Sequence, residues 1–158
     1  MSAGSAALAA ATVGNGLTAG LFLGFTCAVM PGLARVDDAG FVAAMRSINR
    51  AIQNPLFGLV LVGTPLATVA ATVARPASPW LLAGLVATAA TLAITLARNV
   101  PLNVALDRAS GGGPAQLTAA RAAFERPWRR WNALRTLTGT AATALLAVAV
   151  GAGAASSG

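Results

Sequence analysis

Side chains that can hold an oxygen-bearing ligand occur in three short clusters, each beside a long apolar run of the sequence. The first cluster extends from Ser47 to Pro55, where Asn49 and Gln53 lie four residues apart and Asn54 precedes a proline. Four residues is about one helical turn, so Asn49 and Gln53 share a helix face. Their amides can line the mouth of a pocket. Helix capping is the alternative role, and it is the favoured role for Asn54.

The second cluster extends from Arg98 to Asn103 and contains Asn99 and Pro101. A continuous helix would aim Asn99 and Asn103 in the same direction. Pro101 predicts a break or kink that frees backbone carbonyls for another partner. Arg98 is either a ligand for an anionic group or a cation that extends to the membrane interface.

The third cluster extends from Phe124 to Arg135 and carries the richest chemistry. Two indoles, an amide and a guanidinium follow one another at offsets of zero, three, four and seven residues, which places them on one helical face: Trp128, Trp131, Asn132 and Arg135. Indoles stack on planar ligands, and the amide and guanidinium bind oxygen atoms. The alternative is a belt of aromatic and basic anchors at a membrane interface. Glu125 is the only Glu, and a solvated ion pair with neighbouring Arg residues is its alternative role.

Composition limits the chemistry that these clusters can perform. The chain has no His and a single Cys, and its net charge is +7. Without imidazole, a haem, copper, zinc or non-haem iron site is hard to build, so no metal ligands are predicted. Cys27 is interpreted as a small buried residue. The Arg residues flank apolar runs instead of forming a separate basic face, which argues against a nucleic-acid partner.

The elements that must position the clusters are four charge-free apolar runs. Hydrophobic residues make up 56% of the chain and charged residues 9%, whereas soluble domains carry about 25% charged residues. We predict an all-α fold, an integral membrane four-helix bundle. The whole chain, 1–158, is expected to form a single membrane domain with spans at about 8–30, 55–74, 79–98 and 132–153. Asn54-Pro55 and Ser78-Pro79 predict the starts of two spans.

Two further helices are predicted in the loops between the spans. Asp37 to Gln53 is expected to form an amphipathic helix in the first long loop, capped by Asp37 or Asp38, because apolar residues recur there at helical spacing. Leu117 to Trp131 is expected to form a second helical stretch, interrupted at Pro127 and separate from the fourth span.

The distribution of arginine predicts the orientation in the cell membrane. Ten of the eleven Arg residues lie in or beside the two long loops, and the short turn between the second and third spans holds only Arg75. The positive-inside rule therefore places both long loops in the cytoplasm and both termini outside, in a multi-pass protein whose first partner is the lipid bilayer. Small residues in the spans also permit self-association into a homo-oligomer.

At the three clusters the sequence resembles the anthrone oxygenase family of small membrane proteins. The motifs that carry the resemblance follow in order along most of the chain: Met30-Pro-Gly-Leu33, Phe41-Val-Ala-Ala-Met45 leading into Ile48 to Pro55, Arg98-Asn-Val-Pro-Leu-Asn103, and Trp128-Arg-Arg-Trp-Asn-Ala-Leu-Arg135. Family members of known activity oxidise an anthrone to an anthraquinone with molecular oxygen. The resemblance implies an oxidoreductase of the monooxygenase type in polyketide biosynthesis. It would be cofactor-independent, with oxygen as co-substrate and an aromatic small molecule as substrate.

For the reaction that the resemblance implies, we assign roles to the clustered side chains as a hypothesis. Trp128 and Trp131 would stack on the substrate, and Arg98 or Arg135 would stabilise its anion. Glu125 is the first candidate for the general base and Asp38 the second. The expected catalytic residues are Glu125, Asn103, Asn132 and Arg135, and the expected substrate-binding residues are Asn49, Asn54, Arg98, Asn99, Trp128 and Trp131.

The competing interpretation is a non-enzymatic membrane protein that binds a lipid or small molecule, or that packs as an accessory subunit on a larger complex. The face from Trp128 to Arg135 separates the two interpretations. A ligand pocket requires this face to turn inward, whereas an interfacial belt requires it to turn toward lipid.

Overall fold

A computed structural model describes residues 2–109 and 113–155, without the side chains of 153–155. This part of the chain is helical and contains no strand. The helices are α1 (Ala3–Leu33), α2 (Asp38–Ala51), α3 (Pro55–Ala74), α4 (Pro79–Arg108) and α5 (Pro114–Ala155).

Four of these helices are long and apolar enough to cross a membrane: α1, α3, α4, and α5 over Pro114–Ala152. Each packs mainly on two neighbours, so α1, α3, α4 and α5 form a closed bundle in that order. The predicted all-α membrane bundle is therefore confirmed, and the chain is a multi-pass membrane protein. Helix α2 packs on α4 and α5 at one end of the bundle, called here the α2 end. The side of the membrane on which this end lies stays a prediction.

Local capping chemistry sets three helix starts as the sequence predicts. The side chain of Asp37 accepts a 2.7 Å hydrogen bond from the Gly40 amide at the start of α2. Asn54 and Ser78 accept hydrogen bonds from amides in the first turns of α3 and α4, and a proline follows each of them. One side of α2 is buried against the bundle through Phe41, Val42 and Met45, which confirms the predicted amphipathic helix.

Two prolines that were predicted to interrupt or break their helices lie inside continuous helices. Pro127 lies inside α5, a continuous helix of 42 residues, so the predicted loop helix and the fourth span are one element. Pro101 lies inside α4, which continues to Arg108 instead of breaking. Cys27 also differs from its prediction, because its side chain is exposed.

Helices α1 and α4 accommodate their prolines by widening one turn. The segments Phe25–Val29 and Thr95–Asn99 are π-helical, and the amide that follows each segment bonds to the carbonyl five residues earlier. Pro31 and Pro101 come directly after that amide. A proline has no N–H to donate to the fourth preceding carbonyl, and the wider turn shifts the bonding pattern past this gap. Both wide turns lie in the halves of α1 and α4 nearest α2.

The half of the bundle away from α2 is closed by small residues and buried amides. Gly14 of α1 lies directly against Thr64 of α3. Next to this contact, Asn15 donates to the Ala11 carbonyl at 2.9 Å and accepts from the Thr88 hydroxyl at 3.1 Å. Polar groups inside this half are therefore satisfied by neighbouring helices, as close packing in lipid requires.

Replacing Gly14 by Ala is expected to lower the melting temperature of the detergent-solubilised protein. The added Cβ would lie 2.2 Å from the Thr64 hydroxyl oxygen, so α1 and α3 would have to separate. Such overpacking costs about 1–3 kcal/mol. Gly20→Ala is the matched control, because no atom lies within 4 Å of an added Cβ there. Equal melting temperatures for the two variants would contradict the close approach.

Candidate functional site

A cavity of about 980 Å³ opens at the α2 end of the bundle, and it is called here the main cavity. Side chains of α1, α3, α4 and α5 form its walls, and α2 borders its mouth. Its apolar lining includes Phe22, Phe25 and Leu61. Six of the residues predicted from the sequence also line it: Asn49, Asn54, Asn99, Asn103, Trp128 and Arg135.

Arg135 places a buried guanidinium at the main cavity. The residue is 6% exposed, and its Cζ lies 3.9 Å from the centre of the Phe22 ring and 5.5 Å from that of Trp128. Its Nε atom is buried without a hydrogen-bond partner in the described protein. No described carboxylate lies within ion-pair distance. A buried cation without a counter-ion is costly, so this part of the cavity favours an anionic ligand.

Asn132 holds the Arg135 guanidinium in place. Its side-chain oxygen accepts a 2.7 Å hydrogen bond from Nη2 of Arg135. Its amide nitrogen donates to the Phe22 carbonyl and to the Thr26 hydroxyl, both at 2.9 Å. These bonds connect α5 to α1 and occupy both ends of the amide. Asn132 is therefore placed to orient Arg135, while its own side chain borders a different groove.

Trp128 and Asn103 form a fixed part of the cavity wall. The indole Nε1 of Trp128 donates a 2.8 Å hydrogen bond to the side-chain oxygen of Asn103. The Trp128 ring lies 5.3 Å from Phe25 and 5.9 Å from Phe124, measured between ring centres. The one N–H of the indole is therefore satisfied, and the ring packs on two others, of which Phe25 also lines the cavity.

Asn99 has hydrogen-bonding capacity that the protein does not use. The residue is 1% exposed, and its side-chain oxygen has no partner in the described protein. Its amide nitrogen makes one long bond, 3.4 Å, to the Trp128 carbonyl. The amide nitrogen of Asn49 is likewise buried without a partner. Together with Nε of Arg135, these are the three buried unpartnered side-chain atoms of the described residues, and all three residues line the main cavity.

At the mouth of the cavity, Asn54 has the capping role that the sequence favours. Its oxygen accepts from the Phe57 amide at 3.0 Å, and its nitrogen donates to the Ala51 carbonyl at 2.9 Å. Gln53 similarly bonds back to the Asn49 carbonyl. Both side chains therefore bond to the backbone at the end of α2 or the start of α3, whereas the amide nitrogen of Asn49 is buried without a partner in the described protein.

The two candidate bases lie away from the main cavity. Glu125 and Asp38 line a second groove of about 800 Å³ between α5, α1 and α2. Arg121 bonds to both of them, at 2.9 Å to Glu125 and 3.1 Å to Asp38. Each carboxylate is therefore already paired, and neither is among the residues that line the main cavity. Their catalytic role stays a prediction.

Sequence reasoning missed a carboxylate that does line the main cavity. Asp107 lies at the mouth and accepts a 2.9 Å bond from Nε of Arg46. A usable signal was present, because Asn99, Asn103 and Asp107 repeat at four-residue intervals. The expected break at Pro101 hid this pattern, whereas the continuous α4 keeps all three on one face.

Arg98 and Trp131 lie outside the main cavity. The guanidinium of Arg98 lies 4.9 Å from the centre of the Trp131 ring. Arg98 is exposed, and Trp131 lines a shallow groove on the surface of α5. The structure therefore turns Trp128 and Arg135 inward and leaves the Arg98–Trp131 pair at the bundle surface.

Acidification is expected to loosen the contact between α2 and α5. A hydrogen bond from the Thr118 hydroxyl, aided by the Arg121 guanidinium, holds the pKa of Asp38 below its ordinary value of 3.8. The ionised form therefore stabilises the fold above that value, and this contribution is lost as the pH falls through the lowered pKa. The melting temperature should drop below about pH 4 in the native protein and drop less in Asp38→Asn. Parallel pH profiles of the two proteins would contradict the role of Asp38.

The fold is that of a multi-pass helical membrane protein with a cavity at the α2 end of its bundle. The family model for anthrone oxygenase matches residues 44–145, more than half of the chain. The chain belongs to this family, as the resemblance predicts. The matched range contains every residue that lines the main cavity except those from α1. No curated protein and no solved structure matches the chain.

Proposed function

We propose that this protein is a membrane-embedded oxygenase that oxidises an anthrone-like polycyclic phenol to a quinone with molecular oxygen, without metal or flavin. The observation that carries the proposal is the buried guanidinium of Arg135, which has no carboxylate partner among the described residues and borders a cavity with an aromatic wall. Membership of the anthrone oxygenase family supports the reaction class.

The volume and the lining of the main cavity suit a flat aromatic substrate. Its volume of about 980 Å³ is at the upper end of the range for ligand pockets, about 300–1,000 Å³. Phe22, Phe25 and Trp128 offer apolar and aromatic contacts to fused rings. The unused oxygen of Asn99 can accept a hydrogen bond from a phenolic hydroxyl, and Nε of Arg135 can donate to a phenolate or enolate oxygen.

The chemistry needs stabilisation of one developing negative charge. Loss of a proton from the CH₂ group of the central ring gives an enolate whose charge rests on oxygen. Arg135 stabilises this anion through a donor that is already oriented by Asn132, which avoids reorganisation during the reaction. Asp107 is paired with Arg46, much as Asp38 and Glu125 are paired with Arg121. It is the one carboxylate of the described residues that lines the cavity, so we assign it as the first candidate for accepting the proton.

The remaining steps consume one molecule of oxygen for each quinone. The enolate transfers one electron to oxygen, and the resulting radical and superoxide combine to form a carbon–oxygen bond. The peroxide takes up a proton, and elimination of water then leaves the second carbonyl group. One oxygen atom becomes the oxygen of the new carbonyl group and the other leaves as water. The protein contributes an anion site and a cavity with an apolar, aromatic wall.

Oxygen uptake by the purified, detergent-solubilised protein tests the proposal. An anthrone such as emodin anthrone is supplied, and only the rate above a protein-free blank counts because anthrones autoxidise. The expected result is one oxygen consumed per quinone formed, with one labelled atom from ¹⁸O₂ in the product, and a rate that a metal chelator leaves unchanged. A rate equal to the blank, with saturable quenching of tryptophan fluorescence by the same anthrone, would instead indicate binding without catalysis.

A further inference from the structure

Helix α5 carries two arginines that contribute neither to the main cavity nor to an ion pair. Arg126 and Arg130 lie four residues apart, and both are exposed. Both residues line the second groove described above. Both also line a surface groove of about 610 Å³, whose remaining lining residues belong to α5 as well. The two arginines therefore border both grooves.

The acidic side chains of the chain are engaged elsewhere. None lies within ion-pair distance of Arg126 or Arg130 in residues 2–109 and 113–155. Like charges one helical turn apart repel each other. An anion bound between the two guanidinium groups would remove this repulsion. The four acidic residues and their contacts are Asp37 with the Gly40 amide, Asp38 with Arg121, Asp107 with Arg46, and Glu125 with Arg121 and Arg129.

An apolar strip continues from this pair along the outer surface of α5. Trp131, Leu134 and Leu137 line the same surface groove as the two arginines. Leu134 is 39% exposed and Leu137 is 66% exposed. Helix α5 is one of the four membrane-crossing helices, so exposed leucines on it meet acyl chains. Cationic groups at one end of a groove and apolar groups along it match the two parts of a phospholipid.

We propose that Arg126 and Arg130 bind the phosphate of an anionic phospholipid whose acyl chain lies along Trp131, Leu134 and Leu137. A free phosphate would contact the two arginines alone and would gain nothing from the apolar part of the groove. The continuity of the charged and apolar parts therefore favours a lipid of the bilayer over a soluble anion. This site is separate from the main cavity and does not depend on the proposed reaction.

The test compares lipid binding by delipidated, detergent-solubilised protein with that of an Arg126→Gln, Arg130→Gln double variant. Phosphatidylglycerol and phosphatidylcholine with identical acyl chains are added separately, and retained lipid is counted by native mass spectrometry. The double variant should bind phosphatidylglycerol about thirtyfold more weakly, the equivalent of about 2 kcal/mol for two interfacial arginines. Both side chains are exposed, so the variant should fold. The control double variant Arg35→Gln, Arg75→Gln removes the same charge and should bind as the native protein does.

Each outcome has a defined meaning for the proposed site. Selective retention of phosphatidylglycerol that is lost only in the Arg126, Arg130 variant supports it. Equal retention of the two lipids, or equal losses in both double variants, would overturn it, because the binding would then reflect hydrophobicity or overall charge. Glycerol 3-phosphate is a further arm, and displacement of the lipid at equimolar concentration would show that the apolar strip contributes nothing and would also overturn the proposal.

Discussion

Replacing Arg135 by Met is expected to lower the anthrone-dependent rate of oxygen uptake by about 100- to 1,000-fold, the range found when one oriented donor to an oxyanion is removed. The loss should fall mainly on kcat. A neutral anthrone is held by the aromatic wall before it loses its proton, so its binding depends less on the guanidinium. Single-turnover measurements with saturating anthrone separate the effect on the chemical step from the effect on substrate binding.

Arg35→Met is the matched control for this experiment. Arg35 is exposed and lies between α1 and α2, outside the residues that line the main cavity. The control removes the same charge and adds the same side chain, so it should retain the native rate. Arg135→Lys keeps a cation but loses the planar donor set, and an intermediate rate is expected. A native rate in Arg135→Met would show that the buried guanidinium does not stabilise the anion.

The sequence predicts the membrane bundle well because the signals involved are local. Charge-free runs of sufficient length, together with the Asn54-Pro55 and Ser78-Pro79 dipeptides, predict spans and their starts without knowledge of the packing. The effect of Pro101 and Pro127 on their helices was not predictable in the same way. A proline removes one backbone donor, but the neighbouring helices decide whether the chain breaks or widens a turn. In α4 the chain widens at Thr95–Asn99 and the helix continues.

Only some of the predicted site residues of α5 line the main cavity, and helical geometry explains which of them do. At 3.6 residues per turn, Arg135 lies within about 20° of Trp128 around α5, so both turn inward. Trp131 is rotated by about 60° to one side of Trp128, and Glu125 by about 60° to the other. These two residues therefore fall at the edges of the inward face. Trp131 lines the surface groove and Glu125 lines the second groove. Residue spacing predicts which side chains share one face of a helix. It does not predict where the neighbouring helices pack, and their positions decide which of these side chains line the main cavity.

Asn99→Leu is expected to change stability and activity in opposite directions. The side-chain oxygen of Asn99 is buried without a partner, and its nitrogen makes only the 3.4 Å bond to the Trp128 carbonyl. A buried polar group without a partner costs about 1–3 kcal/mol, so an apolar side chain of similar volume should raise the melting temperature. The same change removes the acceptor proposed for the phenolic hydroxyl. Turnover should fall about fivefold or more, since a hydrogen bond to substrate contributes about 1 kcal/mol or more.

The comparison with Asn15→Leu makes this prediction specific. Asn15 is also buried in the bundle, but both ends of its amide are hydrogen-bonded. Its nitrogen donates to the Ala11 carbonyl at 2.9 Å, and its oxygen accepts from the Thr88 hydroxyl at 3.1 Å. The same substitution there breaks satisfied bonds and should lower the melting temperature. If both amides contribute to packing, both variants should have a lower melting temperature than the native protein. If Asn99 serves to bind the ligand, Asn99→Leu alone should have a higher melting temperature, because the substrate supplies the partner that the protein lacks.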